Sequence, residues 1–329
     1  MAAGRRVRRW LLGGIAAGIL AVLVAVVIFA SGWYGAANLD EERPFVVPSG
    51  ATLTAIAQKL ESEDIIGSAD GFLLRAKIFG GGDPVQAGEF LLPAGASPAR
   101  ILDIFQNGDV IRRFVTIPEG LPSIMVHERL MAEPLLTGTI PVPAEGSILP
   151  DSYDFERGES RADVLARMET AMDEFLAEAW AKRSTNIAVS SPAETLSLAS
   201  VVEKETGVPK ERRMVAGLYT NRLKTGMRLQ ADPTIIYPIT KGKPLGRRIR
   251  RSEIDAVNGY NTYSMDGLPK GPITNPGRES IRAVLNPADT DALYMVADGT
   301  GGHVFADTLA GHNENVRKWR AIRRARGEI

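Results

Sequence analysis

Ser191-Pro-Ala-Glu194-Thr-Leu-Ser-Leu-Ala-Ser-Val-Val-Glu203-Lys-Glu205-Thr-Gly207-Val-Pro209 is the stretch that decides the reading of this chain. Ser191 with Glu194 three residues on has the form of a capping box, and Pro192 takes the first helical position, where a missing N–H does no harm. Gly207 and Pro209 close the helix. Between them Leu196, Leu198, Ala199, Val201 and Val202 cover most of the helix circumference, leaving Ser197, Ser200 and Lys204 as a narrow polar strip. The spacing therefore predicts a largely buried helix. Two carboxylates, Glu203 and Glu205, lie inside it. A buried carboxylate finds a partner or takes up a proton. The two point in nearly opposite directions, so each needs its own role. Pairing with Arg212, Arg213 or Arg222 is one; acid–base chemistry is the other. Helical phase alone does not choose between the two glutamates.

Upstream, RADVLARMETAMDEFLAEAWAKR (161–183) repeats its apolar residues at helical spacing and lacks Gly and Pro, which predicts a long helix. Before it, EGSILPDSYDF (145–155) mixes turn formers with aromatics. Three earlier segments share one pattern: Phe45-Val-Val-Pro48-Ser-Gly50, Phe90-Leu-Leu-Pro93-Ala-Gly95 and Phe114-Val-Thr-Ile-Pro118-Glu-Gly120 each precede an apolar-periodic run. Each reads as strand, Pro-x-Gly turn, then helix. Such units resemble LysM glycan-binding modules, and equally any small α+β domain. At the start, Arg5, Arg6, Arg8 and Arg9 precede an uncharged run from Trp10 to Ala30. That run reaches the roughly 20 residues that cross a bilayer, with Trp10 at one interface and Trp33 and Tyr34 at the other. The arginines would hold the N-terminus in the cytoplasm. A cleaved signal peptide is the alternative, but its apolar region would be shorter and no clean cleavage site follows.

Composition narrows the chemistry. Lys+Arg and Asp+Glu number 39 each in 329 residues, a balance that gives no basic field for nucleic acid. No cysteine is present, which removes disulfides, thiolate metal sites and a cysteine nucleophile. His127, His303 and His312 show no metal-ligand spacing, so no metal or cofactor is expected. Gly246-Arg-Arg-Ile-Arg-Arg251 is a local basic cluster: a solvated loop, or a binding surface for carboxylates. ADGTGG (297–302) is a hairpin-turn signal.

LASVVEKETGVPKERRMVAGLYTNRLKTGMRLQADPTIIY (198–237) resembles the core of the endolytic murein transglycosylase family (MltG/YceG-like). Tyr260-Asn261-Thr262-Tyr263, Gly267-Leu-Pro269, Thr274-Asn275-Pro276-Gly277, ALYMVADGTGGHVFADTLAGHN (292–313) and EGSILPDSYDF resemble it too. Residues 238–259 match least. The resemblance implies an α+β protein with a cytoplasmic tail (1–9), a transmembrane helix (10–31), a LysM-like module (43–115), a connecting α+β arm (116–189) and a C-terminal α+β catalytic domain (190–329). It implies a single-pass inner-membrane lyase, its catalytic domain outside the cytoplasm, that cleaves the MurNAc–GlcNAc bond of peptidoglycan with a 1,6-anhydro product. It further implies that the enzyme ends nascent strands beside the peptidoglycan synthases. The family's catalytic glutamate falls on Glu203, the first Glu of Val-Glu-Lys-Glu-Thr. An apolar wall of Leu196 and Ala199 would raise its pKa, as a general acid requires.

Asn221, Gln230, Asn261 and Thr262 could hold sugar hydroxyls or acetamido groups. Tyr237, Tyr260 and Tyr263 could stack on sugar rings, and Asp232 is a cap or a second carboxylate in the cleft. Core and turn duty is the alternative for each. A muramidase and a non-catalytic peptidoglycan-binding scaffold are the rival functions.

Overall fold

The computed structural model describes residues 2–328, with side chains from Trp10 onward. The side chains of the arginines at 5–9, on which the expected membrane orientation rests, lie outside that set. Contacts divide the chain into two compact units, before and after the Arg113–Phe114 bond.

In the first unit, α1 (Ala2–Tyr34) carries the apolar segment. Within Trp10–Tyr34 the most apolar 18-residue window has a mean hydropathy of 2.9 and is unburied, and the segment is long and apolar enough to cross a membrane. Its last turn joins a core. Trp33 is buried with its ring 5.5 Å from Phe72, and Arg75 Nε donates to the Phe29 carbonyl at 2.9 Å. Then come β1 (Arg43–Val47), α2 (Leu53–Ser62), α3 (Ala69–Phe79), β2 (Gly88–Leu92) and α4 (Pro98–Asn107). Strands β1 and β2 pair antiparallel with Phe45 opposite Phe90. Both rings pack on Phe105, at 5.3 and 5.5 Å. Helix α3 escapes the sequence reading because its apolar residues do not keep to one face: Phe72 and Ala76 are buried, Leu74 and Ile78 exposed.

The second unit opens with β3 (Arg112–Thr116), whose first two residues belong to the unit before, and continues with α5 (Ser123–Ala132), β4 (Ser152–Glu156) and α6 (Arg161–Ala181). β3 pairs with β4. All three Pro-x-Gly turns form. Gly50, Gly95 and Gly120 take φ of +73°, +67° and +71°, a region costly to a side chain. Val115, Val126, Leu130, Phe155, Val164 and Met168 fill one core. Arg161 is buried beside it, its guanidinium donating to the carbonyls of Leu130, Gly138 and Glu133.

Helix α7 (Pro192–Glu205) is the axis of the rest: α8 (Arg212–Lys224), α9 (Asp232–Thr240), α10 (Arg251–Ile254), α11 (Arg278–Leu285), the antiparallel hairpin of β5 (Tyr294–Ala297) and β6 (His303–Ala306), and α12 (Leu309–Ala325). Leu198, Ala199, Val201 and Val202 are fully buried and pack with Val215, Leu218, Ile281 and Val284. Two residues of the expected polar strip, Ser197 and Ser200, also turn inward, while Lys204 is exposed. Ser200 Oγ donates to the Ser197 carbonyl at 2.8 Å and accepts the Ile273 N–H at 3.0 Å, so a hydroxyl is buried with its bonding satisfied. Ser191 Oγ accepts the Glu194 N–H at 3.2 Å, while Glu194 reaches back to the N–H of Ser190, one residue before the expected cap. The 297–302 turn is tied by Asp298 Oδ1, which accepts the N–H groups of Thr300 and Gly302.

Asn275 is fully buried where three segments meet. Its Oδ1 accepts the Ile148 N–H at 3.1 Å, and its Nδ2 donates to the Leu121 carbonyl and to Ser123 Oγ. Asn275→Ala strands these groups without water and should destabilise the protein by about 2–3 kcal/mol. Thermal unfolding of the full chain measures this. An unchanged midpoint would mean that the junction is held elsewhere.

Candidate active site

The two glutamates of α7 have different surroundings. Glu203 Oε2 accepts the Gly277 N–H at 2.9 Å, at the start of α11. Oε1 lies 3.8 Å from Arg212 Nη2, and that guanidinium also binds Glu119 at 2.9 Å. A side chain at Gly120 would meet Glu203 Cγ at 3.4 Å. A backbone donor, a guanidinium and a glycine turn thus lie beside the Glu203 carboxyl. A carboxylate at a helix N-terminus satisfies a free N–H and the helix dipole together. Glu203 docks α11 onto α7.

Glu205, the last residue of α7, faces a cleft of about 240 Å³. α8 contributes Tyr219 and Arg222 to it, the turn before α9 contributes Gln230 and Asp232, and Tyr263 and His303 complete its polar lining. Glu205 Oε1 is shut off from solvent and has no hydrogen-bond partner among the described residues. Burial raises the Glu205 pKa to about 7; the nearby Asp232 charge adds to the rise, and the Tyr219 hydroxyl and Arg222 charge oppose it. Arg222 does not form a close pair with Glu205. It is anchored instead by donating to the carbonyls of Leu293 at 2.7 Å and Leu229 at 2.6 Å. The result is a carboxyl that holds a proton close to neutral pH beside open space. That is the condition for a general acid.

The rest of the cleft is fixed in place. Gln230 stands at φ +52°, a left-handed conformation rare outside glycine and here held by bonds from the next strand of chain. Its N–H donates to the Thr262 carbonyl, the Ala231 N–H donates to Thr262 Oγ1, and the Thr262 and Thr234 hydroxyls meet at 2.8 Å. Tyr263 donates from its hydroxyl to Asp232 Oδ1 at 2.7 Å. His303 is held at Nδ1 by Glu211 Oε2 at 2.9 Å, with its N–H donating to Glu211 Oε1. Burial would raise the Glu211 pKa, but the bonds from the His303 ring, the His303 N–H and Thr206 outweigh it and leave the pKa below the usual range.

Of the residues expected to meet substrate, Gln230, Asp232 and Tyr263 come together in the cleft with Glu205. Asn221, Tyr237, Asn261 and Thr262 do not. Asn221 Nδ2 donates to the Thr290 and Ala292 carbonyls and positions the approach to β5. Asn261 is fully buried, its Nδ2 donating to the carbonyls of Glu253, Ile254 and Ala256. Thr262 is the clamp just described. Tyr237 packs on Tyr260 at 4.7 Å and hydrogen-bonds the buried Glu145, whose pKa is raised by burial against bonds from Ser123 and Tyr237. Tyr219, Arg222 and His303 are cleft residues that sequence reasoning missed. The signal available for two of them was the i, i+3 spacing of Tyr219 and Arg222, which puts both on one face of α8.

The second unit thus places one proton-holding carboxyl in the lining of a polar cleft, in a chain with an N-terminal helix long and apolar enough to cross a membrane. The chain belongs to the YceG-like family, whose profile matches residues 45–318. It is 28% identical over 306 residues to a protein of Bacillus subtilis named endolytic murein transglycosylase, covering 83% of each chain. It is 28% identical over 320 residues to a protein of the same name from Streptococcus pneumoniae, covering 82% of this chain and 57% of that longer one. The crystal structure of a yceG-like protein from Listeria monocytogenes superposes with a TM-score of 0.53 at 26% identity, covering 83% of this chain and 98% of that one.

The raised pKa has a sign that can be tested. Between the ordinary value of 4.5 and about 7 the folded protein binds more protons at Glu205 than the unfolded chain, so stability falls as pH rises through that window. Glu205→Gln removes the penalty. The variant should gain stability over the parent from pH 5 to pH 8, on the order of 3 kcal/mol. Denaturant melts at both pH values check this, and a difference independent of pH would show that Glu205 is not the buried acid.

Proposed function

We propose that this protein is a membrane-anchored lytic transglycosylase of peptidoglycan and that its acid is Glu205 rather than Glu203. The observation that carries the residue assignment is the Glu205 carboxyl, which holds a proton near neutral pH in a residue lining the cleft and has one buried oxygen without a hydrogen-bond partner among the described residues. The substrate follows from family membership and from the name its relatives carry.

The chemistry follows from one carboxyl. Protonated Glu205 gives its proton to the oxygen linking N-acetylmuramic acid to N-acetylglucosamine, and that bond breaks with its electron pair on the leaving oxygen. Positive charge develops at the anomeric carbon and the ring oxygen. Glu205, now a carboxylate, takes the proton from the muramic acid's own 6-hydroxyl as that oxygen closes onto the anomeric carbon. The product is a 1,6-anhydro end and Glu205 is protonated again. An intramolecular nucleophile gains about 7–11 kcal/mol from proximity when well oriented, so no activated water is required. Asp232, held by Tyr263 beside Glu205, favours the proton-loaded start. Asp232 also supports a second reading. A second carboxylate is what a hydrolase uses to direct water to the same carbon, which would leave a reducing end.

The remaining parts fit a strand-terminating enzyme. We assign α1 to a single membrane crossing with the catalytic unit outside the cytoplasm, an orientation that rests on the arginines before Trp10. Residues 43–115 form the LysM-like glycan-binding part, a reading supported by the strand–helix–helix–strand order closed by an antiparallel pair. The arm 116–189 joins it to the catalytic part, 190–329. Anchoring beside the membrane puts the cleft where nascent strands and their synthases are, and cleavage there is endolytic and ends strand growth.

Mass spectrometry of fragments released from nascent, uncrosslinked peptidoglycan tests this. The detergent-solubilised full chain should yield anhydro ends. Glu205→Gln should lose activity by about 10²–10⁴-fold, while Glu203→Gln keeps most of it after correction for stability. Reducing ends would replace the lyase by a muramidase. Activity that survives Glu205→Gln and dies with Glu203→Gln would return the acid to Glu203.

A further inference from the structure

Beside the cleft runs a second depression of about 450 Å³, walled by Pro122, Met125, Pro233, Ile236, Leu245 and Ile273 and rimmed by Lys204 and Lys243. It shares two elements with the cleft. Glu205 lines the cleft and Lys204, the residue before it, lines the groove; Asp232 lines the cleft and Pro233, the residue after it, lines the groove. Consecutive residues are 3.8 Å apart at Cα, so the two hollows flank the same ends of α7 and α9.

The two cations at the rim differ. Lys243 is paired with Glu128. Lys204 is exposed, and Nζ touches only the Gly120 carbonyl at 3.3 Å, with no carboxylate partner among the described residues. In the nearby basic cluster Arg247 pairs with Glu253 and Arg251 with Asp255. Lys204 is thus an uncommitted positive charge on the rim of an apolar trough, one residue along α7 from the proposed acid.

We propose that this groove binds the stem peptide of the muramic acid whose glycosidic bond is cleaved, an inference that rests on the proposed function. That sugar carries on its lactyl group a short peptide rich in alanyl methyls and bearing free carboxylates. The chemistry is complementary: methyls against the proline, isoleucine and leucine walls, a carboxylate on Lys204. The attachment point is on the sugar that supplies the anomeric carbon, so a strand reacting at Glu205 has its peptide within reach of the groove. The groove makes the site selective for strands that still bear peptides over bare glycan.

Binding is measured with the full chain carrying Glu205→Gln, so that no turnover interferes. The probes are two glycan fragments of equal length, one with stem peptides and one stripped of them by an amidase. The peptide-bearing fragment should bind about fivefold more tightly. Adding Lys204→Ala should close that gap and leave the affinity for bare glycan unchanged; Leu245→Ser, which alters the opposite wall, should narrow it in the same way. Equal affinity of the two fragments, or a Lys204→Ala loss of equal size on both, overturns the inference. A peptide preference by a chain whose parent form releases no products would leave the groove standing and remove the catalytic reading instead.

Discussion

The second unit is organised around a buried carboxyl without a close cation. A carboxylate taken out of water either finds a compensating charge or keeps its proton. Near Glu205, Arg222 donates from Nε and Nη1 to backbone carbonyls, and the Asp232 charge opposes ionisation. The proton is the compensation. Keeping it requires that α7 end at the cleft and not before it, that α8 bring Tyr219 and Arg222 to the same wall, and that Gln230 stay in its left-handed conformation. The local cost at Gln230 and at Glu205 is offset by the apolar packing of Leu198, Val201, Val202, Val215 and Leu218 behind them.

The same helix carries a second carboxylate to the opposite purpose. Glu203 is compensated twice, by the Gly277 N–H and by Arg212. Two residues of separation on a helix turn a side chain about 200°, to nearly the opposite side, which is why Glu203, Lys204 and Glu205 lie on three faces. The fixed neighbours of the cleft follow similar logic. Glu211 orders His303, Tyr263 orders Asp232, and Thr262 orders the turn bearing Gln230.

Much of this fold was legible in the residues. The Pro-x-Gly turns, the long helix of 161–183, the buried helix after Ser191 and the hairpin at ADGTGG all carry local signals, because each depends on backbone preference or on periodicity within a few turns. The family resemblance was legible for the same stretch. The different surroundings of Glu203 and Glu205 were not. They depend on which face of α7 meets α11 and which meets α8, a tertiary fact that periodicity cannot supply for a helix buried all round. Asn221, Asn261 and Thr262 misled for a related reason. An amide or hydroxyl inside a motif looks the same whether it holds a ligand or a backbone carbonyl, and only the accounting of partners separates the two. Gln230, Asp232 and Tyr263 were recognisable as polar groups in motifs, and the structure adds that they share one cavity.

The account depends most on a single acid at Glu205, and the pH dependence of kcat/KM for glycan cleavage by the full chain reads that acid in the free enzyme. The account predicts a falling limb governed by a pKa near 7, displaced toward lower pH in Asp232→Asn because the neighbouring charge that helps to hold the proton is gone. A limb governed by a pKa near that of an ordinary glutamate, or one that does not move in Asp232→Asn, would contradict it.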